Sequence, residues 1–344
     1  GVVDVPGHEA FVRSMVAGAA GMDVVLLAVA ADEGVMPQTR EHLAIVELLG
    51  VSELVVALTK ADTVEEEWLE LVEVDVRELL SGTPYGSAPL VPTSAKTGQG
   101  LDALLDQLTS AASRIHASEV EDLTRLPLDR VFTIQGTGTV ATGTLWSGTL
   151  SMGERVRILP QGLEARVRGL QVHGRDVSEA RAGDRTAVAL TGEGADRDLV
   201  ARGSTLVTSK EWAATWMLTA HVRLLEDTGW PLEHNQRVHL HHGTSEVLAR
   251  CVPLSGEGLL PGESGWVQFR LEEPLVVRVR DRFVIRAYSP VVTFGGGVVA
   301  EIDPPKRHRI HEDVQISLEA IIDAADRDAI AARVTLRGWQ GALI

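Results

Sequence analysis

A chain of 344 residues has the length for two or three domains, each able to bury its own core. It has no apolar run near the roughly 18 residues of a membrane-spanning helix, and its single cysteine, Cys251, excludes a disulfide framework within the chain. The net charge of −16 argues against a polybasic nucleic-acid binder, yet residues 1–115 hold 18 acidic and 6 basic side chains while 116–211 hold 13 and 12 and 212–344 hold 17 and 14, so arginine patches can still form on the later parts.

In chain order, GVVDV reads as a strand, and the DVPGHE that closes it contains an Asp-x-x-Gly. In such a turn the carboxylate can face the water shell of a magnesium ion while the glycine amide approaches a γ-phosphate. EAFVRSMVAGAAG reads as a helix and MDVVLLAVAA as a fully buried strand. PQTREHLAIVELLG reads as a helix with Pro37 in its first turn and Gly50 after its end. Strand ELVVALT, an acidic helix around Val64–Leu80, a short strand APLVP and a helix from Leu101 to about Ile115 complete a first domain, 1–115. The alternation predicts an α/β domain, a parallel sheet with flanking helices whose ligands bind outside the carboxyl ends of the strands. Asp4, Thr59-Lys60-Ala61-Asp62 and Thr93-Ser94-Ala95-Lys96 all fall at such ends.

From Leu126 the texture changes to short β runs punctuated by glycine. Two β-barrels are predicted, at 124–211 and 214–304, with a short boundary near Ser209–Thr215. After Asp303-Pro304-Pro305 the pattern turns helical.

An aspartate that accepts from the guanine N1–H and amino group separates guanine from adenine, which offers no such donor pair. Asp62 is placed for that role, the stem of Lys60 can lie over the base, and the Ala95 amide can donate to the guanine O6 with Ser94 and Lys96 buttressing the turn. Either turn alone is an ordinary polar strand-to-helix turn. In order, with the Asp-x-x-Gly before them, they look like the guanine-reading half of a GTP-binding domain. A phosphate loop of the form Gly-x4-Gly-Lys-Ser/Thr occurs nowhere in the chain, and both ends read as cuts in a longer protein. The chain by itself is therefore expected to bind GTP poorly.

The run from DVPGHE to TKAD resembles translational GTPases of the elongation factor Tu type. The resemblance implies GTP and Mg2+ as cofactors. It places Asp4 near the metal, Gly7 at the γ-phosphate, and His8 as the catalytic residue that orients the attacking water when the ribosome docks. Thr59 stands where that family usually has asparagine. TKAD together with PLDRVFTIQGTGTVATGT is most similar to the selenocysteine-specific elongation factors. This implies selenocysteyl-tRNA and the ribosome as partners, a cytoplasmic location and no membrane. It also implies an aminoacyl pocket built from Asp129, Arg130 and Arg185, and a winged-helix region from about 305 that would bind an mRNA hairpin. Guanidinium groups suit an anionic selenolate and are left unpaired by a neutral serine.

His239, His241 and His242, with His234 and Cys251 nearby, have strand spacing that puts His239 and His241 on one face. With no second ligand pair at a finger-like spacing, a barrel edge that meets tRNA is favoured over a metal site. The other readings are a general elongation factor, an initiation factor that delivers initiator tRNA, the GTPase subunit of sulfate adenylyltransferase, and a non-hydrolysing RNA- or protein-binding module. The helical tail after Pro305 favours the selenocysteine-specific factor.

Overall fold

The structure, a computed structural model, describes residues 3–5, 12–19, 21–115, 121–136 and 138–337. They fall into two units, one built around residues 19–117 and the other around 118–344.

The first unit alternates helix and strand as its apolar periods dictate: α1 (Val12–Ala19), β1 (Val24–Ala30), α2 (Pro37–Leu49), β2 (Glu53–Thr59), α3 (Glu66–Leu80), β3 (Leu90–Pro92) and α4 (Leu101–Arg114). β1, β2 and β3 form a parallel sheet in that order. Pro37 opens α2, and Gly50 closes it in the left-handed conformation, its amide returning to Glu47 O. Glu66 and Glu67 sit in the first turn of α3 and Arg77 in its last, as the helix dipole favours.

Two expectations need correction. Val3–Val5 form no strand. The run read as a fully buried strand is half open, with Leu26 44 % exposed. Among the described residues β1 is an edge strand with a neighbour on one side only, whereas β2, between two strands, is buried along its centre.

The second unit begins with β4 (Arg125–Ile134), β5 (Gly138–Thr144), β6 (Thr149–Ser151), β7 (Arg155–Leu159), β8 (Leu163–Val172), β9 (Arg175–Val177), β10 (Glu179–Arg181), β11 (Arg185–Thr191) and β12 (Thr205–Val207). Strands β11, β5, β4, β12, β7 and β8 pair in sequence, and β11 also pairs with β8, which closes a first barrel around Leu126, Leu128, Ile158 and Val188. A second closed barrel follows from β13 (Thr215–Leu224), β14 (Arg237–His242), β15 (Ser245–Pro253), β16 (Ser264–Leu275), β17 (Arg282–Ala287) and β18 (Thr293–Ile302). Phe269 and Phe283 meet edge to face in its core at 5.4 Å, with Phe294 also fully buried. Closure leaves neither barrel ring an unpaired edge.

The stretch near Ser209–Thr215, read from sequence as a boundary, is packed. Trp212 is buried against Leu159 and Val207 of the first barrel and Val276 beside the second. Next to it the Arg125 guanidinium reaches Asp281 with two hydrogen bonds of 2.6 and 3.0 Å and lies over the rings of Trp146 and Trp212. Helices α5 (Glu312–Asp323) and α6 (Asp326–Arg337) end the described chain. Leu318 and Ile321 of α5 bury against Val252, Leu254 and Trp266 on the outside of the second barrel.

Candidate functional site

The two turns expected from sequence to read guanine are joined. β2 and β3 are parallel neighbours, so their carboxyl ends stand side by side, and the Ala61 amide donates to Thr93 O at 3.0 Å. The Thr59 hydroxyl lies 3.4 Å from Val29 O and bonds weakly at best, and Lys60 turns the chain with a left-handed backbone, φ 59°. The Lys60 ammonium bonds both oxygens of Asp32 at 3.0 and 2.8 Å, and that carboxylate raises its affinity for the proton. Asp62 stands exposed, with no side-chain bond among the described residues. Ser94 is buried. Its amide donates to Gln99 O at 2.9 Å and its hydroxyl accepts from the Thr97 amide at 3.2 Å, holding a tight turn with Ala95 and Lys96 exposed at its crest. Asp4 is exposed; Gly7 and His8 lie outside the described residues.

On the first barrel the structure brings Asp129 and Arg185 into an ion pair through Arg185 Nη1 and Asp129 Oδ2. Strict alternation along β4 would send Asp129 and Arg130 to opposite faces. The register shows how both reach one side: Leu128 pairs with Gly143 and Arg130 with Thr142, so Asp129 is the extra residue of a β-bulge. Gly143 makes the bulge possible, because a Cβ there would lie 2.0 Å from Pro127 O. Arg130 is exposed and makes no ion pair among the described residues, while Arg185 lies opposite Thr144 on β5. The sequence did not single out Thr142, whose hydroxyl donates to Asp129 Oδ1 at 2.8 Å. The available signal was Gly143 beside it.

On the outside of the second barrel, Arg237, Arg250 and Arg270 stand in cross-strand register on β14, β15 and β16. Like charges directly opposite repel, and one carboxylate, Glu272, serves Arg237 at 2.8 Å and Arg250 at 3.7 Å. Arg270 Nε and Nη2 are buried without a hydrogen-bond partner among the described residues. Tyr288 stacks on His239 at 5.7 Å, and the Arg237 guanidinium lies 4.7 Å over its ring. His239 is held by Glu246 at 2.8 Å and stacks on His241 at 6.3 Å, while His242 is held by Asp281 at 3.0 Å. Among the described residues no group of three His, Cys, Asp or Glu could hold a metal ion. No described helix is long and apolar enough to cross a membrane.

Comparison with known proteins gives a consistent set of relatives. The family described as elongation factor Tu GTP binding domain matches residues 1–114, and elongation factor Tu domain 2 matches 138–207. The family described as selenocysteine-specific elongation factor, beta-barrel domain, matches 214–306. A selenocysteine-specific elongation factor from Desulfomicrobium baculatum is 44 % identical over 99 % of this chain, which covers 53 % of that protein. Its counterpart from Escherichia coli strain K12 is 36 % identical over 97 % of this chain and 52 % of its own length. The chain thus spans about half the length of the curated relatives it matches. Among solved structures, translation elongation factor SelB from Methanococcus maripaludis in complex with the GTP analogue GPPNHP matches with a TM-score of 0.79 and 30 % identity, over 88 % of this chain and 70 % of that one.

Proposed function

The chain belongs to the selenocysteine-specific elongation factors of the elongation factor Tu-like GTPases, and from that premise we propose that its protein hydrolyses GTP while carrying selenocysteyl-tRNA to the ribosome at a recoded UGA codon. The observation that carries the proposal is the group Asp129, Arg130 and Arg185 on one face of the first barrel. Together these side chains carry one net positive charge, which matches one selenolate and leaves a charge unbalanced when neutral serine enters.

In this reading Asp62 accepts from the guanine edge, Lys60 lies along the base, and the Ser94-Ala95-Lys96 turn receives the guanine O6. Thr59 offers a short hydroxyl where the resemblance to elongation factor Tu-type GTPases implies an asparagine amide. Asp4 would help hold Mg2+, which when bound neutralises charge on the phosphates, with Gly7 beside the γ-phosphate and His8 orienting water. The row Arg237, Arg250 and Arg270 with Tyr288 suits a tRNA backbone, because its guanidiniums outnumber their carboxylates. Helices α5 and α6 would begin the winged-helix region that takes the mRNA hairpin. The setting for this work is the cytoplasm.

The test is the dissociation rate of selenocysteyl-tRNA and of seryl-tRNA from the GTP-bound, full-length protein at one salt concentration, since backbone contacts are salt-dependent. Arg185→Ala should speed release of selenocysteyl-tRNA on the order of ten- to a hundredfold, the range of a charged hydrogen bond, with seryl-tRNA little changed. Equal losses for both tRNAs would mean that the arginine grips phosphate. No preference for selenocysteyl-tRNA in the parent protein would favour a general tRNA carrier.

A further inference from the structure

Thr142 stands behind the pocket and has no place in the reading above. Its hydroxyl proton goes to Asp129 Oδ1 at 2.8 Å, while Asp129 Oδ2 accepts from Arg185 Nη1. The two oxygens of one carboxylate thus connect β5 to β11 through the bulged residue of β4. Both Asp129 and Thr142 are partly buried, and the Arg185 side chain is 33 % exposed. Arg185 commits one nitrogen to Asp129, and among the described residues its Nε and second terminal nitrogen make no bond. Those donors remain uncommitted within the described chain.

The bulge gives the arrangement its geometry. Two consecutive β4 residues oppose Thr142, so its hydroxyl meets the Asp129 carboxylate from directly across the ladder. Without that bond the carboxylate could rotate about its last torsion, which is broad and only two-fold. It could then take a second nitrogen of Arg185 in the side-by-side geometry that guanidinium and carboxylate prefer. Arg185 would be drawn into its internal pair and offer fewer donors to an incoming anion.

We propose that Thr142 is a positioning residue for amino-acid selectivity: by occupying Asp129 Oδ1 it restricts the carboxylate to a single bond with Arg185 and keeps that guanidinium turned toward an anionic aminoacyl group. This rests on the pocket reading given above, and the experiment separates the two. Thr142→Val keeps the shape and loses the donor; Thr142→Ser keeps the donor and loses a methyl group.

Dissociation of selenocysteyl- and seryl-tRNA from the GTP-bound, full-length protein is followed for the parent, both Thr142 variants and Arg185→Ala, with thermal midpoints alongside. The expected result is a roughly five- to tenfold faster release of selenocysteyl-tRNA from Thr142→Val, unchanged seryl-tRNA, near-parental behaviour of Thr142→Ser, and unchanged midpoints. The difference between Thr142→Val and the parent should shrink as acid protonates the selenolate, a dependence that a merely structural defect lacks. If Thr142→Val matches the parent while Arg185→Ala loses selectivity, the positioning role is wrong and the pocket stands. If Thr142→Val loosens both tRNAs alike, Thr142 serves the barrel and the proposal fails. If Arg185→Ala leaves selectivity intact, the pocket reading falls and takes the proposal with it.

Discussion

Asp281 is a fully buried carboxylate that accepts from Arg125 at 2.6 and 3.0 Å, from His242 Nε2 at 3.0 Å and from the Arg278 amide at 2.8 Å. Burial alone would raise its pKa, but the Arg125 charge and the His242 contact outweigh burial and hold it well below the usual carboxylate range. With the folded value below an unfolded value of about 4, the stabilisation is present above that pH and is lost as pH falls through the folded value. Asp281→Asn leaves Arg125 buried beside a neutral partner and should cost about 3–5 kcal/mol at neutral pH. Urea midpoints at pH 7 and near pH 3 are the measurement. The variant's deficit should narrow in acid, and a deficit independent of pH would assign the loss to shape and not to charge.

At the scale of elements, α5 meets the second barrel over a histidine. His221 on β13 lies edge to face with Trp266 at 5.0 Å. Burial lowers its pKa, opposed by Asp323 and Glu319 of α5. A histidine whose folded pKa lies below the unfolded value of about 6.5 stabilises fully above that value and loses the contribution as pH falls. Nearby, Arg280 donates to Ile321 O at 2.9 Å and to Asp326 at 2.7 Å, and also bonds Ala324 O, so it caps the carboxyl end of α5 and ties α6 to it. Docking of α5 should therefore loosen as pH falls below about 6.5. Amide exchange of residues 312–323, corrected for intrinsic pH effects, is the check. His221→Phe should remove the pH-dependent part, and an unchanged dependence would point to another group.

At the scale of the whole molecule, the barrels share buried material. Trp212 packs between them, Arg125 crosses from one to the other, Arg278 pairs with Asp122, and the Ser245 hydroxyl donates to Gly203 O at 2.6 Å. Shared apolar and polar contacts of this kind make two cores lose structure together. In the intact chain, β4–β12 and β13–β18 should lose amide protection at the same denaturant concentration. Trp212→Ala removes a large buried ring, worth about 3–5 kcal/mol, and should split the loss into two steps with the first barrel separable from the second. A single step in the variant would show that the remaining contacts suffice to couple them.

Contiguous residues determined what was legible. TKAD and TSAK are local strings whose order and strand-end positions were legible as a candidate guanine site, because a turn is built from neighbours in the chain. Glycine-punctuated β runs likewise announced two barrels, since side-chain alternation and turn chemistry are local. The tertiary structure alone decided which side chains meet. Arg125 and Asp281 lie 156 residues apart and Asp129 and Arg185 lie 56 apart, and no periodicity within either strand fixes a partner on another. β1 also read as buried from its apolar content, whereas its exposure follows from its place at the sheet's edge. The bulge at Asp129 depends on Gly143, 14 residues on. Glycine is required there because a Cβ would meet the Pro127 carbonyl, a collision that appears only when the two strands are laid side by side.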